Sequence, residues 1–325
     1  MSKYIGRQIE VGFGIEGTRG TPATIQHWWD KTDFSFVEKA EYINDSSSRG
    51  KITDAVDTVK VKQMGEWALT QVVKVNQIGY LLLSLMGTVT TTTDSAWAYL
   101  HTFDVNNTNQ SQSLTMGIVD PVNGDRSFPL TAIDTLTLNV EEWQYATITV
   151  SVKAQPWQSA SHTATYSTDY ALLARRWVFK IASNLAWLDA ASPNCFKSFE
   201  VTFEKTLYDD YCAGNLSPID YINQSFVVSW SFTAMFDSTT YHDYHLDGTK
   251  RAIRFELEDT DTTIGASSNP RLTFNFALCG FTEFDMTQGN DEVVQQTLTF
   301  KPLESQADWE MVNVELVNTK QEYTA

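Results

Sequence analysis

Thr135-Leu136-Thr137-Leu138, followed after a polar break by Ile148-Thr149-Val150-Ser151-Val152, alternates apolar and hydroxyl side chains with a period of two. Successive side chains of an extended strand point to opposite faces, so these runs read as strands with one face in a core and one in water. The same alternation returns in Phe226-Val227-Val228-Ser229-Trp230, Ile253-Arg254-Phe255-Glu256-Leu257 and Val312-Asn313-Val314-Glu315-Leu316. A mainly β fold is therefore expected along the whole chain. One segment departs from it: Val75, Ile78, Leu81, Leu82 and Leu85 keep helical spacing and Gly87 supplies a left-handed stop, which predicts a helix over about 74–86 packed on a sheet.

The composition agrees. Thr, Ser, Val and aromatic residues are abundant and suit pleated, half-buried surfaces. A chain of 325 residues is long enough for two domains, each with its own core. Cys195, Cys212 and Cys279 are odd in number and too far apart for a disulfide framework, so buried free thiols are expected. No stretch approaches the roughly 20 apolar residues that cross a bilayer, and Met-Ser-Lys-Tyr-Ile-Gly-Arg has no apolar leader region, so a cytosolic product with no membrane partner is expected. Forty acidic against 23 basic residues leave a net charge of -17, which opposes tight binding to phosphate backbones. Residues 1–162 carry -5 of this and the remainder -12, so the second half is expected to be the more acidic.

The two halves resemble each other. Trp67-Ala68-Leu69-Thr70 corresponds to Trp230-Ser231-Phe232-Thr233, and each leads into a helical segment, with Tyr80 in one and Tyr241 in the other. Leu85-Met86-Gly87-Thr88 is answered by Leu246-Asp247-Gly248-Thr249. Phe128 to Ala154 aligns without gaps on Phe276 to Pro302, pairing Leu136 with Phe284, Leu138 with Met286 and Lys153 with Lys301. Any two amphipathic hairpins share alternation, so coincidence competes with duplication; the preserved order of strand, helix, Gly-Thr and hairpin favours duplication. Two tandem β-sandwich domains are expected, over 1–160 and 171–325, with 156–170 as linker. The polar segment 44–58 is expected to be a long mobile loop, and 104–112 a second loop.

Candidate chemistry is sparse. Gly12-Phe13-Gly14-Ile15-Glu16-Gly17 matches a dinucleotide fingerprint formally, but Thr18-Arg19-Gly20-Thr21-Pro22 cannot open the helix that the fingerprint needs, and no cofactor is expected. His242, Asp243, His245 and Asp247 have weak metal-like spacing on the short second helix, and a solvated helix face explains them equally well. Asp259 with Asp261, and Asp120 with Asp125, lack the regular spacing of a calcium loop. No nucleophile, base and orienting group stand at recognisable spacing, so no enzyme is expected. Ten tryptophans suggest a sugar-stacking surface, with Trp28 and Trp29 the expected exposed pair and Trp67 and Trp230 expected in the core.

The run Val11-Gly12-Phe13-Gly14-Ile15-Glu16-Gly17-Thr18-Arg19-Gly20-Thr21-Pro22-Ala23 resembles the opening of tail tube proteins from long, non-contractile phage tails, and the likeness continues through Asp33-Phe34-Ser35-Phe36, the polar loop and Leu85-Met86-Gly87. The resemblance implies a β-sandwich flanked by a helix, whose sheet joins those of neighbouring copies around a channel through which the genome leaves. It implies stacked rings, with a tape-measure protein, a tail terminator and baseplate proteins as partners, DNA passing the lumen without tight binding, and a place in the virion tail after synthesis in the bacterial cytoplasm. If the halves are duplicates, three chains make a pseudo-sixfold ring in place of six.

On that reading, Asn44, Asp45, Arg49, Lys51, Asp54 and Asp57 are candidate ring-to-ring contacts, and Phe13, Glu16, Arg19 and Pro22 belong to an N-terminal arm that is loose until assembly. Glu141, Glu142, Asp291 and Glu292, near hairpin turns at equivalent places, are candidate acids of the lumen or ring edge. Two alternatives remain at this level: a carbohydrate-binding β-sandwich, and a low-copy baseplate or connector protein of the same fold.

Overall fold

The computed structural model describes residues 4–291 and 293–323. Its elements run β1 (Glu10–Ile15), β2 (His27–Trp28), β3 (Lys31–Asp45), β4 (Asp57–Val72), α1 (Val75–Met86), β5 (Gly87–Ser95), β6 (Ala98–Val105), β7 (Leu114–Val119), β8 (Arg126–Glu141), β9 (Thr147–Ala154), β10 (Gln158–Ser159), β11 (Trp177–Ala182), β12 (Ser198–Asp210), β13 (Asp220–Met235), α2 (Thr240–Asp247), β14 (Arg251–Glu258), β15 (Arg271–Thr287), β16 (Gln295–Leu303) and β17 (Val312–Asn318). The chain is mainly β, as the alternation predicts, and each of the five alternating runs lies within a strand. The predicted helix is α1, closed by Gly87 in a left-handed conformation at φ 98°.

Two halves of the chain follow one pairing plan. In the first, β1 pairs with β7, β7 with β8, β8 with β9, β9 with β4, and β4 with β3. In the second, β11 pairs with β14, β14 with β15, β15 with β16, β16 with β13, and β13 with β12. The match holds residue by residue. Ala132 faces Lys153 and Ile133 faces Val152, then the register slips; Gly280 faces Lys301 and Phe281 faces Phe300, then the register slips at the same step. Phe36 faces Trp67 as Val201 faces Trp230. The β3–β4 and β12–β13 hairpins share a register shift, after Glu41 and after Thr206, and each ends on an Asp pair, Asp45 with Asp57 and Asp210 with Asp220.

Strands β8 and β15 are long because each serves two sets of neighbours, one at its start and one at its end. The first part of β8 pairs with β7 and β10, and its last part with β9 and β12. The first part of β15 pairs with β14 and β17, and its last part with β16. The last parts join a continuous antiparallel ribbon in the order β3, β4, β9, β8, β12, β13, β16, β15. One face of this ribbon is core, through residues such as Leu69, Val150, Leu136, Phe203, Trp230 and Leu298, and one buried cluster runs through both halves. Burying such side chains is worth roughly 1.5–3 kcal/mol each, so this face holds the ribbon to the layer behind it.

The halves also interlock. Strands β5 and β6 pair with each other, and β6 pairs with β17, so first-half strands extend the second-half sheet. Helix α1 is buried on nearly every side. Tyr323 returns across it, its ring 4.9 Å from Tyr80, and its side chain fills the space beside Gly79 that any Cβ would occupy.

Three expectations are corrected. The segment 44–58 is not loop throughout, because Asn44 pairs with Thr58 and Asp45 with Asp57, which leaves 46–56 as the tip of a projecting hairpin. Of the three thiols only Cys279 is buried; Cys195 and Cys212 are exposed. Trp28 and Trp29 are buried, Trp29 with its ring 4.9 Å from Phe13, whereas Trp67 and Trp230 are core as expected.

Candidate assembly interface

The ribbon has two unpaired edges. Among the described residues β3 pairs only with β4, and the Glu283–Thr287 part of β15 pairs only with β16. An open edge presents a row of backbone donors and acceptors to any strand that reaches it, and long apolar edges invite association. The β3 edge is long, and it exposes Val37, Tyr42 and Ile43, with Val59 exposed on the facing strand β4 and Ile52 wholly exposed at the tip. Of the residues singled out in sequence, Asn44, Asp45 and Asp57 lie at the ends of the hairpin strands and Arg49, Lys51 and Asp54 on the tip, all in solvent.

In the middle of the ribbon the same two kinds of edge are already joined. The last part of β8 pairs with β12 from Ser198 opposite Glu141 to Glu204 opposite Thr135. The hairpin that carries β12 is seated on the first half by its shaft and tip. Leu207 and Tyr221 pack against Leu130 and Ala132. The Tyr221 hydroxyl donates to the Ala154 carbonyl at 2.8 Å, Gln63 N donates to the Leu216 carbonyl at 2.7 Å, and Gln155 Nε2 to the Pro218 carbonyl at 2.9 Å. Lys153 and Asp209 form an ion pair at 2.9 Å.

The N-terminal run helps to hold that seat. It is strand β1 and the turn after it, packed into the body of the chain, which corrects the expectation of a loose arm. Gly12 and Gly14 are required by the chain doubling back: a Cβ on Gly12 would lie 2.8 Å from the His27 carbonyl, and one on Gly14 would meet the Thr24 carbonyl. Phe13 is buried against Trp29 and Trp67. Glu16 is buried and accepts four bonds, from Thr115 Oγ1 and Leu130 N on one oxygen and from Gly20 N and Ser113 Oγ on the other. These donors compensate the loss of water around the carboxylate. Arg19 crosses to the second half, where Nε meets Asp220 Oδ1 at 2.6 Å and Nη2 donates to the Tyr221 carbonyl at 2.7 Å. Pro22 is exposed.

The solvent face of the ribbon is lined with hydroxyls. Thr70 meets Thr149, Thr137 meets Thr202 and Thr233 meets Thr297, each pair across neighbouring strands at 3.0 Å. Glu141 stands at the end of this ribbon, Glu142 is tied to Lys197 at 2.7 Å, and that contact holds its carboxyl below the usual range. Asp291 is exposed in the β15–β16 turn, and Glu292 lies outside the described residues. The other acid and histidine clusters have local partners. Asp259 and Asp261 pair with Arg176, Asp120 accepts from the Val122 and Asn123 backbone, and His245 Nδ1 lies 3.2 Å from the Phe281 carbonyl. Among the described residues no three His, Cys, Asp or Glu side chains converge as metal ligands.

The model of the phage tail tube protein family matches residues 6–302, from the turn before β1 to the penultimate residue of β16. The chain belongs to the phage tail tube protein family. This accords with the resemblance of the N-terminal run, which lies inside the matched region together with both open edges and the junction between the halves. No curated protein matches the chain. A tail tube protein is a structural component of the virion tail, and the features above are those of a building block: backbone edges, a projecting hairpin and a hydroxyl-lined face. The open edges escaped sequence reading, although Tyr42 and Ile43, apolar within a charged hairpin, were a signal of them.

Proposed function

We propose that copies of this chain join edge to edge through β3 and β15, closing the ribbon into a ring, and that rings stack into the tube through which the genome leaves the particle. The observation that carries this reading is the eight-stranded ribbon with one open edge from each half and an internal joint of the same kind. Closure removes the exposed edges altogether. Two copies of one pairing plan in each chain support a duplicated tube unit, and hence three chains in a pseudo-sixfold ring in preference to six chains.

The core face of the ribbon is covered by the rest of the chain, so on closure the hydroxyl face lines the lumen. Thr and Ser side chains bonded to each other across strands stand there with Glu66, Glu200, Glu204, Glu283 and Asp285 on exposed or half-exposed strand positions, and of the lysines on that face Lys39 and Lys153 are tied to Glu66 and Asp209, which leaves phosphates little cationic grip. With a net charge of -17, DNA passes such a wall without sticking. Glu141, Glu142 and Asp291 sit at strand ends, where they meet the ring rim; the hairpin residues Asn44, Asp45, Arg49, Lys51, Asp54 and Asp57 contact other copies. Tape-measure, terminator and baseplate proteins complete the tail, after synthesis in the bacterial cytoplasm.

Negative-stain electron microscopy of the purified chain at high concentration tests this. Hollow tubes or stacked rings are expected, with three chains per ring by mass; six chains per ring rules out the pseudo-sixfold count. The low-copy baseplate or connector alternative predicts a few copies per purified virion, where a tube subunit is abundant. The carbohydrate-binding alternative loses its stacking pair, because Trp28 and Trp29 are buried.

A further inference from the structure

The internal joint is a template for the joint between chains. Residue-by-residue correspondence places Asp33, Ser35 and Val37 of β3 where Ser198, Glu200 and Thr202 stand in β12. It likewise places Glu283, Asp285 and Thr287 of β15 where Thr135, Thr137 and Asn139 stand in β8. Glu200 faces Asn139, and Thr202 faces Thr137. Transferred to the open edges, the same register sets Ser35 of one copy opposite Thr287 of the next, and Val37 opposite Asp285.

The seat for the hairpin recurs on the second half. Leu207, 7% exposed, is covered by Leu130 and Ala132; its counterpart Tyr42 is 60% exposed, and the counterparts of the covering residues, Leu278 and Gly280, are half-exposed. The sizes compensate. Tyr221 and Ala132 of the filled seat become Thr58 and Gly280, while Leu207 becomes the larger Tyr42. Gln63 and Gln155, which bind the tip of the β12 hairpin, correspond to Phe226 and Leu303. Beside Phe226 and Glu304 opens a cavity of about 470 Å³, also lined by Asp104, Trp309, Glu310 and Met311. It is acidic, and the tip that corresponds to the filling loop carries Arg49 and Lys51.

We infer that the β3–β4 hairpin of each chain lies on the second half of the next chain in the same ring, repeating the β8–β12 register, with Tyr42 over Leu278 and Gly280 and the Arg49–Lys51 tip at the acidic cavity. The partner is a second copy of this chain, joined head to tail, and the inference rests on the ring reading above. It turns the hairpin residues into lateral contacts within a ring. The unlike patches, hairpin on one side and cavity on the other, make a heterologous joint, the kind that closes into a ring when the rotation per chain fits.

Cysteine pairs test the register in a Cys195→Ser, Cys212→Ser background. Ser35→Cys with Thr287→Cys places thiols directly opposite; Ser35→Cys with Glu283→Cys displaces them by about 13 Å along the strand. After assembly and treatment with a short thiol-bridging reagent, a non-reducing gel of the first pair is expected to show a ladder that stops at the chain number of one ring, and the second pair to stay monomeric. Assembled rings in which the first pair remains monomeric, or in which both pairs bridge equally, overturn the register and leave the ring reading standing. A ladder without an upper stop marks an open or axial contact and overturns the lateral placement. Failure of the cysteine-depleted parent to assemble under any condition, with tubes also absent on an initiator complex, removes the ring reading and this inference with it.

Discussion

Arg19 and Asp220, 201 residues apart, form an ion pair at 2.6 Å in which both side chains are about four-fifths shielded from solvent, 20% and 17% exposed. The same guanidinium donates to the carbonyls of Ser111 and Tyr221. The N-terminal run thus fastens the tip end of the β12–β13 hairpin. Arg19→Ala takes the counter-charge from a partly buried carboxylate, which keeps Gln110 Nε2 and the Tyr221 amide as donors, and takes the guanidinium from two carbonyls, and a loss of about 2–4 kcal/mol is expected as a lower urea midpoint. Asp220→Asn retains two of the guanidinium's three partners and is expected to cost less.

Glu16 is expected to be the most sensitive residue of that run. Its truncation to Ala strands the Leu130 and Gly20 amides and two buried hydroxyls at once. A loss of more than about 3 kcal/mol is expected. Glu16→Gln keeps two acceptor sites on one oxygen and is expected to fall between. Thermal melts of the three proteins side by side order them; equal melting temperatures count against the staple role.

Lys205 is 4% exposed, and burial first, with the nearby Arg19 charge second, lowers its pKa to about 7 from the ordinary 10.5. The unfolded chain therefore binds this proton between pH 7 and 10.5 where the folded chain does not, so this group makes stability rise with pH across that window. Below pH 7 the folded chain carries the full cost of a buried ammonium, which among the described residues donates to the Ser84 carbonyl alone. Lys205→Met is expected to raise stability by on the order of 2 kcal/mol at pH 6, with the gain vanishing towards pH 10.5. Urea titrations at several pH values check the slope.

Glu310 behaves in the opposite sense. Burial first, then Asp104, Asp308 and Glu315, raises its carboxyl to about 7 from 4.5. The folded chain holds the proton between those values, so the contribution is complete below pH 4.5 and is lost as pH rises through 7. Amide exchange in the 304–311 turn is expected to accelerate from pH 6 to 8 beyond the intrinsic rate, and Glu310→Gln to remove that excess.

Tyr42 and Leu207 hold the same place in their hairpins, so one substitution at both separates folding from assembly. Leu207→Ser removes a covered side chain and is expected to cost the monomer about 2–3 kcal/mol. Tyr42→Ser is expected to leave the monomer's melting temperature within about one degree, since surface changes fall within about 0.5 kcal/mol, and to raise the concentration at which rings appear. Circular dichroism melts and light scattering read the two effects separately.

Much of this was legible in the chain. Alternation with a period of two is imposed by the pleat itself, so the strands from Thr135 to Leu316 and the helix at 75–86 follow from local spacing alone. The gapless match of Phe128–Ala154 to Phe276–Pro302 survives as identical pairings, down to the shared slip after Ile133 and Phe281. Membership of the tail tube family was carried by the N-terminal run, whose glycines and Glu16 answer to close approach and buried bonding and so leave a mark in residue type.

Partnership between distant segments leaves no such mark. Asn44 and Asp45 read as loop because polar residues suit a loop and an exposed hairpin equally, and only the facing strand tells them apart. Trp28 and Trp29 are apolar on either side of a surface, and their burial depends on β1 and α1 arriving above them. Which strands remain edges is likewise a property of the whole arrangement: β3 and β12 alternate alike, yet β12 is covered by β8 and β3 is not, because within one chain only one such joint can form. Local sequence sets which residues face a core; the count of available neighbours sets which edge is left for another copy.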